Sequence, residues 1–115
     1  MSKSVWHTSM AQMQAELAKL PPETRAAYGV RHGTMRAGIY APVGTDNQSP
    51  HRQDELYIVA SGNAKFVKRD ERLALSEGDL LFVEAHCPHR FEDMSADFAT
   101  WVIFWGPDGG ETGVQ

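Results

Sequence analysis

Two hydrophobic periods divide the chain. Between residues 9 and 22, Met10, Met13, Leu17 and Leu20 recur every three or four positions and fall on one face of a helix. Ser9 with Gln12 three residues later resembles a capping box, and Pro21-Pro22 ends the pattern. The spacing predicts a helix of about 11 residues that lays an apolar stripe on the main body. From residue 32 the period shortens to two. β-prone runs near 32–41, 55–61, 64–69, 71–76, 79–84, 89–93 and 97–105 are separated by turn residues, the signature of an all-β sandwich or barrel. Gly62-Asn63, Arg69-Asp70-Glu71 and Ser76-Glu77-Gly78-Asp79 read as tight turns, which make the strands they join antiparallel neighbours.

Some strands are apolar on both sides. In 55–61, Tyr57 and Val59 alternate with Leu56, Ile58 and Ala60; in 97–105, Phe98, Val102 and Phe104 alternate with Trp101, Ile103 and Trp105. An antiparallel strand with one wet face alternates apolar with polar instead. The helix is too short to cover the whole outer face, so a homodimer burying a sheet edge or face is expected; the alternative is that the helix and segment 21–31 suffice.

A chain of 115 residues builds one hydrophobic core. Its 11 basic and 15 acidic residues are scattered and net to −4, which disfavours a nucleic-acid surface and an anionic membrane as partners. The single Cys87 forms no internal disulfide, and no stretch resembles a signal peptide or reaches the ~18 apolar residues of a membrane span. A soluble cytoplasmic protein is expected.

Two segments gather residues that a core does not select. In the first, if the chain is extended, Ser49, His51, Gln53 and Glu55 share one face, and Tyr57 and Val59 continue it into apolar surroundings. A carboxylate placed there needs a cation or dense hydrogen bonding. In the second, an apolar strand runs from Gly78 into the loop Glu84–Pro88 and returns with His89, whose parity matches Phe91 and Asp93. Two imidazoles and a carboxylate, His51, Glu55 and His89, then form a ligand set suited to Fe, Mn, Zn or Ni with positions open for substrate. The bland alternative is a buried polar network holding water or an organic ligand.

These segments resemble the cupins, whose first motif is G-x5-H-x-H-x3/4-E-x6-G and whose second is G-x5-P-x-G-x2-H-x3-N. His51, Glu55 and Gly62 match the second histidine, the glutamate and the closing glycine of the first motif; Gly78, His89 and Asp93 match the glycine, the histidine and, altered, the asparagine of the second. The resemblance covers residues 32–106 and implies a conserved-barrel cupin: a small antiparallel barrel or double-sheet jelly roll with its site inside. The chain then divides into a helix and covering segment (1–31), the barrel (32–106) and a glycine-rich flexible tail (107–115). The departures are Ser49 in place of the first histidine, and Glu84 and His86 in place of the second motif's proline and glycine. The implied metal set is therefore three residues, with Ser49, Gln53, Tyr57 and Phe91 as additional pocket residues.

The remaining candidates read as structural. Cys87 is an inert loop thiol, His86 is solvated, and His7 and His32 have no partners in sequence. Tyr57, Phe82, Phe91, Phe98, Trp101 and Phe104 are core aromatics, and Asp54 points outward to pair with Arg52 or Lys68. Two functions stand. One is a small metal-dependent enzyme of the oxygenase or isomerase class acting on a small polar organic substrate; the other is a non-catalytic module that binds or senses a small ligand.

Overall fold

The computed structural model describes residues 6–112; the first five residues of the covering segment and the last three of the tail lie outside the described residues. Helix α1 (Met10–Ala18) starts as its cap dictates, with the Ser9 hydroxyl accepting the Gln12 amide at 3.2 Å. It ends before Leu20, because a residue that precedes proline is pushed out of helical geometry. Eight strands follow: β1 (Ala26–His32), β2 (Met35–Tyr40), β3 (Asp54–Ser61), β4 (Ala64–Lys68), β5 (Glu71–Leu75), β6 (Leu80–Val83), β7 (His89–Glu92) and β8 (Ala99–Trp105).

They form a five-stranded sheet, β1-β2-β8-β3-β6, and a three-stranded sheet, β5-β4-β7, with every pairing antiparallel. Tyr57, Val59, Val102 and Phe104 from the first sheet share one core with Phe66, Leu75 and Phe91 from the second. The Phe91 ring sits at its centre, 4.9 Å from Tyr57 and 5.0 Å from both Phe66 and Phe98 between centroids. Burying such a ring contributes up to about 3 kcal/mol, so this cluster supplies much of the cohesion between the sheets.

Three expectations are corrected. The run 32–41 is not one strand: Gly33, at φ +57°, turns the chain between β1 and β2, and most of β1 lies in the segment taken as covering. A register shift between Tyr28 and Val30 breaks the two-residue period there, which hides the strand from a pattern reading. Secondly, Gly62-Asn63 and Ser76–Asp79 do not make hairpins. They carry the chain from β3 to β4 and from β5 to β6, each time from one sheet to the other; only Arg69-Asp70 joins paired neighbours. Such crossings are the corners of a two-sheet fold. Thirdly, Phe82 pairs with Leu56 on the outer face and is 48% exposed.

The outer face of the large sheet is covered on one side only. Met13 of α1 is buried against Ala27, Ile39 and Ala99, with Trp101 half-buried beside them. Towards β6 the covering stops: Leu80 is 63% exposed, and Leu56, Ile58 and Ile103 are only half-buried.

Candidate functional site

Asp54 and Asp46 organise the approach to the site. Asp54 is buried rather than outward: its carboxylate accepts the Ala85 amide at 3.0 Å and the Glu111 amide at 2.8 Å. Lys68 instead pairs with Glu84 at 2.8 Å, and Arg52 with Asp108 at 3.9 Å. Asp46, also buried, ties the loop between β2 and β3 to the barrel. It accepts hydrogen bonds from the Tyr40 hydroxyl, from Gln48 Nε2 at 2.7 Å and from the Phe91 amide at 2.8 Å. That grip on the Gln48 amide turns its Oε1 towards the interior.

The side chains that follow close a ring of donor atoms. Gln48 Oε1 lies 2.7 Å from His51 Nε2 and 3.3 Å from the Tyr57 hydroxyl. Tyr57 in turn lies 3.2 Å from His89 Nε2. Glu55 Oε1 completes the ring, 3.3 Å from His89 Nε2 and 3.9 Å from His51 Nε2. The atoms that His51, Glu55 and His89 offer a cation all lie within 4.8 Å of one another. The site loops are held together by the His86 amide, which donates to the His51 carbonyl at 2.6 Å.

The electrostatics follow from burial. Glu55 is 1% exposed, and its Oε1 accepts no hydrogen bond. His89 Nδ1 lies 2.8 Å from the Cys87 carbonyl, so Nδ1 carries a proton and Nε2 faces the ring as lone pair or as a second N–H. Burial lowers the His89 pKa, but the Glu55 carboxylate and the Cys87 carbonyl outweigh it and the net shift is upward. At His51 burial prevails over Glu55 and the pKa falls. Burial and the Glu55 charge push the Tyr57 phenol well up.

A divalent cation fits these residues. Ligands at ~2.1 Å from one ion stand about 3 Å or a little more apart, close to the separations of the two imidazole nitrogens from Glu55 Oε1. The unbonded carboxylate oxygen has the charge for such an ion. The His89–Cys87 contact is the outer hydrogen bond that metal-binding histidines make.

The structure brings His51, Glu55, His89 and Tyr57 together. The first, second and fourth of these border a cavity of about 130 Å³ walled by Tyr28, Tyr40 and Phe104. It does not bring in Ser49, Gln53 or Phe91. Ser49 is exposed; Phe91 lies behind Tyr57 in the core; Gln53 Nε2 donates to the Thr34 and Gly106 carbonyls and its Oε1 accepts from Arg36. The reason is local: the chain bends at Arg52-Gln53, so the two-residue alternation assumed for 49–55 fails. Asp93 is also outside, exposed and paired with Arg72 at 3.2 Å. Gln48 and Asp46 had no signal in sequence, since 42–53 has no period; Tyr28 and Arg36 become readable only once β1 and β2 are recognised.

Comparison with known proteins agrees with this fold. The family model described as Cupin domain matches residues 38–105. An uncharacterized protein of Streptomyces coelicolor is 37% identical over 81 residues, 69% of this chain and 77% of that one. Among solved structures, a cupin-2 domain protein from Shewanella frigidimarina superposes with TM-score 0.59 at 14% identity, over 78% of this chain and 88% of that one. The DMSP lyase DddQ from Ruegeria pomeroyi superposes with TM-score 0.60 at 22% identity, over 71% of this chain but only 47% of the lyase. At such identities the structural likeness concerns the fold alone.

Proposed function

The chain belongs to the cupin family, and on that footing we propose that His51, Glu55 and His89 hold a divalent metal ion, Fe, Mn, Zn or Ni, in a small enzyme acting on a small polar organic substrate. The observation that carries this reading is the Glu55 carboxylate, sealed from water with one oxygen unbonded between two imidazoles. A buried carboxylate oxygen that accepts no hydrogen bond is costly, and a cation between it and the two imidazoles offsets that cost. When bound, the ion supplies Lewis acidity towards a substrate oxygen or an activated small molecule. The chain's own residues do the rest. The Cys87 carbonyl fixes the His89 tautomer, the Asp46–Gln48 pair orients an acceptor at the rim, and the Tyr57 hydroxyl offers a hydrogen bond to whatever enters. Tyr28, Tyr40 and Phe104 exclude water from the cavity walls.

A second reading, a binding or sensing module without a tightly held metal, is favoured by Ser49: it is exposed, so three protein ligands remain where the family commonly has four. Elemental analysis of protein purified without added metal separates the two. Stoichiometric iron or manganese supports the enzyme, and metal-free protein supports the binder. His51→Ala and His89→Ala should each abolish metal binding with little unfolding; unchanged metal content in both removes the site assignment.

We also infer the expected homodimer. The apolar face of β3, β6 and β8 that α1 leaves open, with Leu80 and Phe82 its most exposed members, is what a second copy would cover. Light scattering on the eluting protein should give twice the 12.8 kDa chain mass; a monomer at micromolar concentration refutes this. A cytoplasmic location is consistent with this reading, and no helix among the described residues is long and apolar enough to cross a membrane.

A further inference from the structure

Beside the Tyr28 and Phe104 walls of the cavity stand two arginines that, among the described residues, face no carboxylate within 4.0 Å. Strand register sets Arg31 opposite Arg36, Arg36 opposite Phe104, Phe104 opposite Glu55 and Glu55 opposite Val83, one row across all five strands of the large sheet. Directly paired residues share a face, and Glu55 and Val83 at 1% exposure mark that face as the interior. The row therefore places both arginines on the interior-facing side of the sheet, with Arg36 half-buried and Arg31 exposed. Arg36 is fixed in place: its Cζ stands 4.3 Å from the Phe104 ring centroid and 5.1 Å from that of Tyr28, and its Nη1 donates to Gln53 at 2.9 Å. Arg31 lies over the same Tyr28 ring, its Cζ 5.6 Å from the centroid. Tyr28 and Phe104 are walls of the cavity.

Arg52, Arg69, Arg72 and Arg90 each face a carboxylate within 4.0 Å, whereas among the described residues Arg25, Arg31 and Arg36 do not, and Arg31 and Arg36 stand over rings that wall the cavity. Like charges directly opposite one another on neighbouring strands are destabilising, and although aromatic rings and Gln53 hold this pair, no carboxylate among the described residues offsets its charge. Glu55, the one carboxylate bordering the cavity among the described residues, is set beyond Phe104 and beside the imidazoles. A ligand that brings its own negative charge supplies what is missing.

Resting on the reading of this cavity as the ligand site, though not on the metal, we propose that the substrate or ligand is a small organic carboxylate anchored at the mouth by Arg36, with Arg31 adding attraction. The planar guanidinium fork suits a carboxylate. The volume of about 130 Å³, close to the ~150 Å³ that accommodates benzene, suits a guest that places about six non-hydrogen atoms inside. The walls of Val102, Phe104 and tyrosine rings call for a carbon body behind the charged end, which inorganic phosphate lacks.

Butyrate and butyramide, each of six non-hydrogen atoms and nearly the same shape, test the anchor. Calorimetry and ligand-observed NMR would compare them on the full-length protein, chelated and manganese-loaded, for wild type, Arg36→Gln, Arg31→Gln and His89→Ala. Wild type should prefer butyrate by about tenfold, with the preference shrinking as salt is raised. Arg36→Gln should erase the preference by weakening butyrate more than butyramide; Arg31→Gln, on an exposed residue whose loss does not threaten the fold, should reduce it about threefold. Butyrate preference that survives both arginine variants, or phosphate that competes as well as butyrate, overturns the proposal. His89→Ala keeps the two readings apart: lost manganese with retained butyrate preference leaves the anchor standing. Manganese binding with no arginine dependence of butyrate retains the metal centre and rejects the anchor.

Discussion

Exchanging Glu55 for glutamine removes a charge and preserves the shape, so it tests whether this carboxylate is placed for a cation. In the metal-free protein, at a pH high enough to leave both imidazoles neutral, the buried Glu55 side chain has no proton donor for its unbonded Oε1. An unsatisfied buried group costs about 1–3 kcal/mol, more if charged. The amide of Glu55→Gln can donate to His89 Nε2, which already stands 3.3 Å from Glu55 Oε1. The chelated variant should therefore be more stable than wild type by about 1–3 kcal/mol, a rise in melting temperature of about 4–12 °C for a chain of this length. The pH dependence has a definite sign. The folded-state pKa of His89 is raised, so the stability that its protonation contributes is fully present below the unfolded value of about 6.5 and is lost as pH rises through the folded value. Melted at about pH 6 and again at about pH 9, chelated wild type should be weaker at the higher pH while Glu55→Gln stays flatter. Metal inverts the ranking: at a hundredfold excess over Kd the wild type gains about 2.7 kcal/mol, and the variant gains little. Calorimetric melts with chelator and with manganese at both pH values provide the readout. A chelated variant that melts below wild type at pH 9 would mean that Glu55 is a structural member of the polar ring, and the reasoning would fail.

Removing Asp46 as Asp46→Ala leaves the Phe91 amide, the Tyr40 hydroxyl and the Gln48 amide without their acceptor, and a urea titration should lose about 3 kcal/mol. At the sheet-crossing turn, Gly62 adopts φ +74°, and an added Cβ would lie 2.4 Å from Ser95 Oγ and 2.8 Å from Phe98 Cα; Gly62→Ala should cost about 2 kcal/mol or more by the same assay. The Lys68 ammonium, with Arg69 behind it, holds the Glu84 carboxyl down at about 2. Its contribution is therefore present above the unfolded value near 4.5 and lost as pH falls towards 2, and because the side chain is 41% exposed, solvent screening keeps the cost of Glu84→Gln below about 1 kcal/mol at neutral pH. A variant as stable as wild type at pH 2 but weaker at pH 7 agrees with this; a constant difference does not.

Where local rules suffice, the expectations hold. Ser9 caps α1 because an N-cap needs only the amides that follow it, and Arg69-Asp70 turns β4 into β5 because two residues between paired strands leave few alternatives. The glycine of Gly62-Asn63 is equally legible as a turn, yet whether the next strand pairs with the last or crosses to another sheet depends on partners far along the chain. Here β8 and β6 take both edges of β3, and β4 joins β7 instead. β1 escaped notice because one shift in register destroys a period that only its pairing with β2 restores. In the site, parity along β3 carried Glu55 and Tyr57 to the interior, and failed for Gln53 where the chain bends.

The order of residues thus determined by itself an all-β barrel with a capped helix, and the three side chains whose chemistry suits a cation. Spacing along one strand sets which faces its residues share, and spacing is visible in the sequence. Tertiary structure alone decided that His89 meets Glu55 at 3.3 Å, that Asp46 turns Gln48 towards His51, and that Arg31 and Arg36, with no carboxylate partner among the described residues, stand over the same Tyr28 ring. Those contacts join segments up to tens of residues apart, and what fixes them is the crossing of strands between sheets, which no local period encodes.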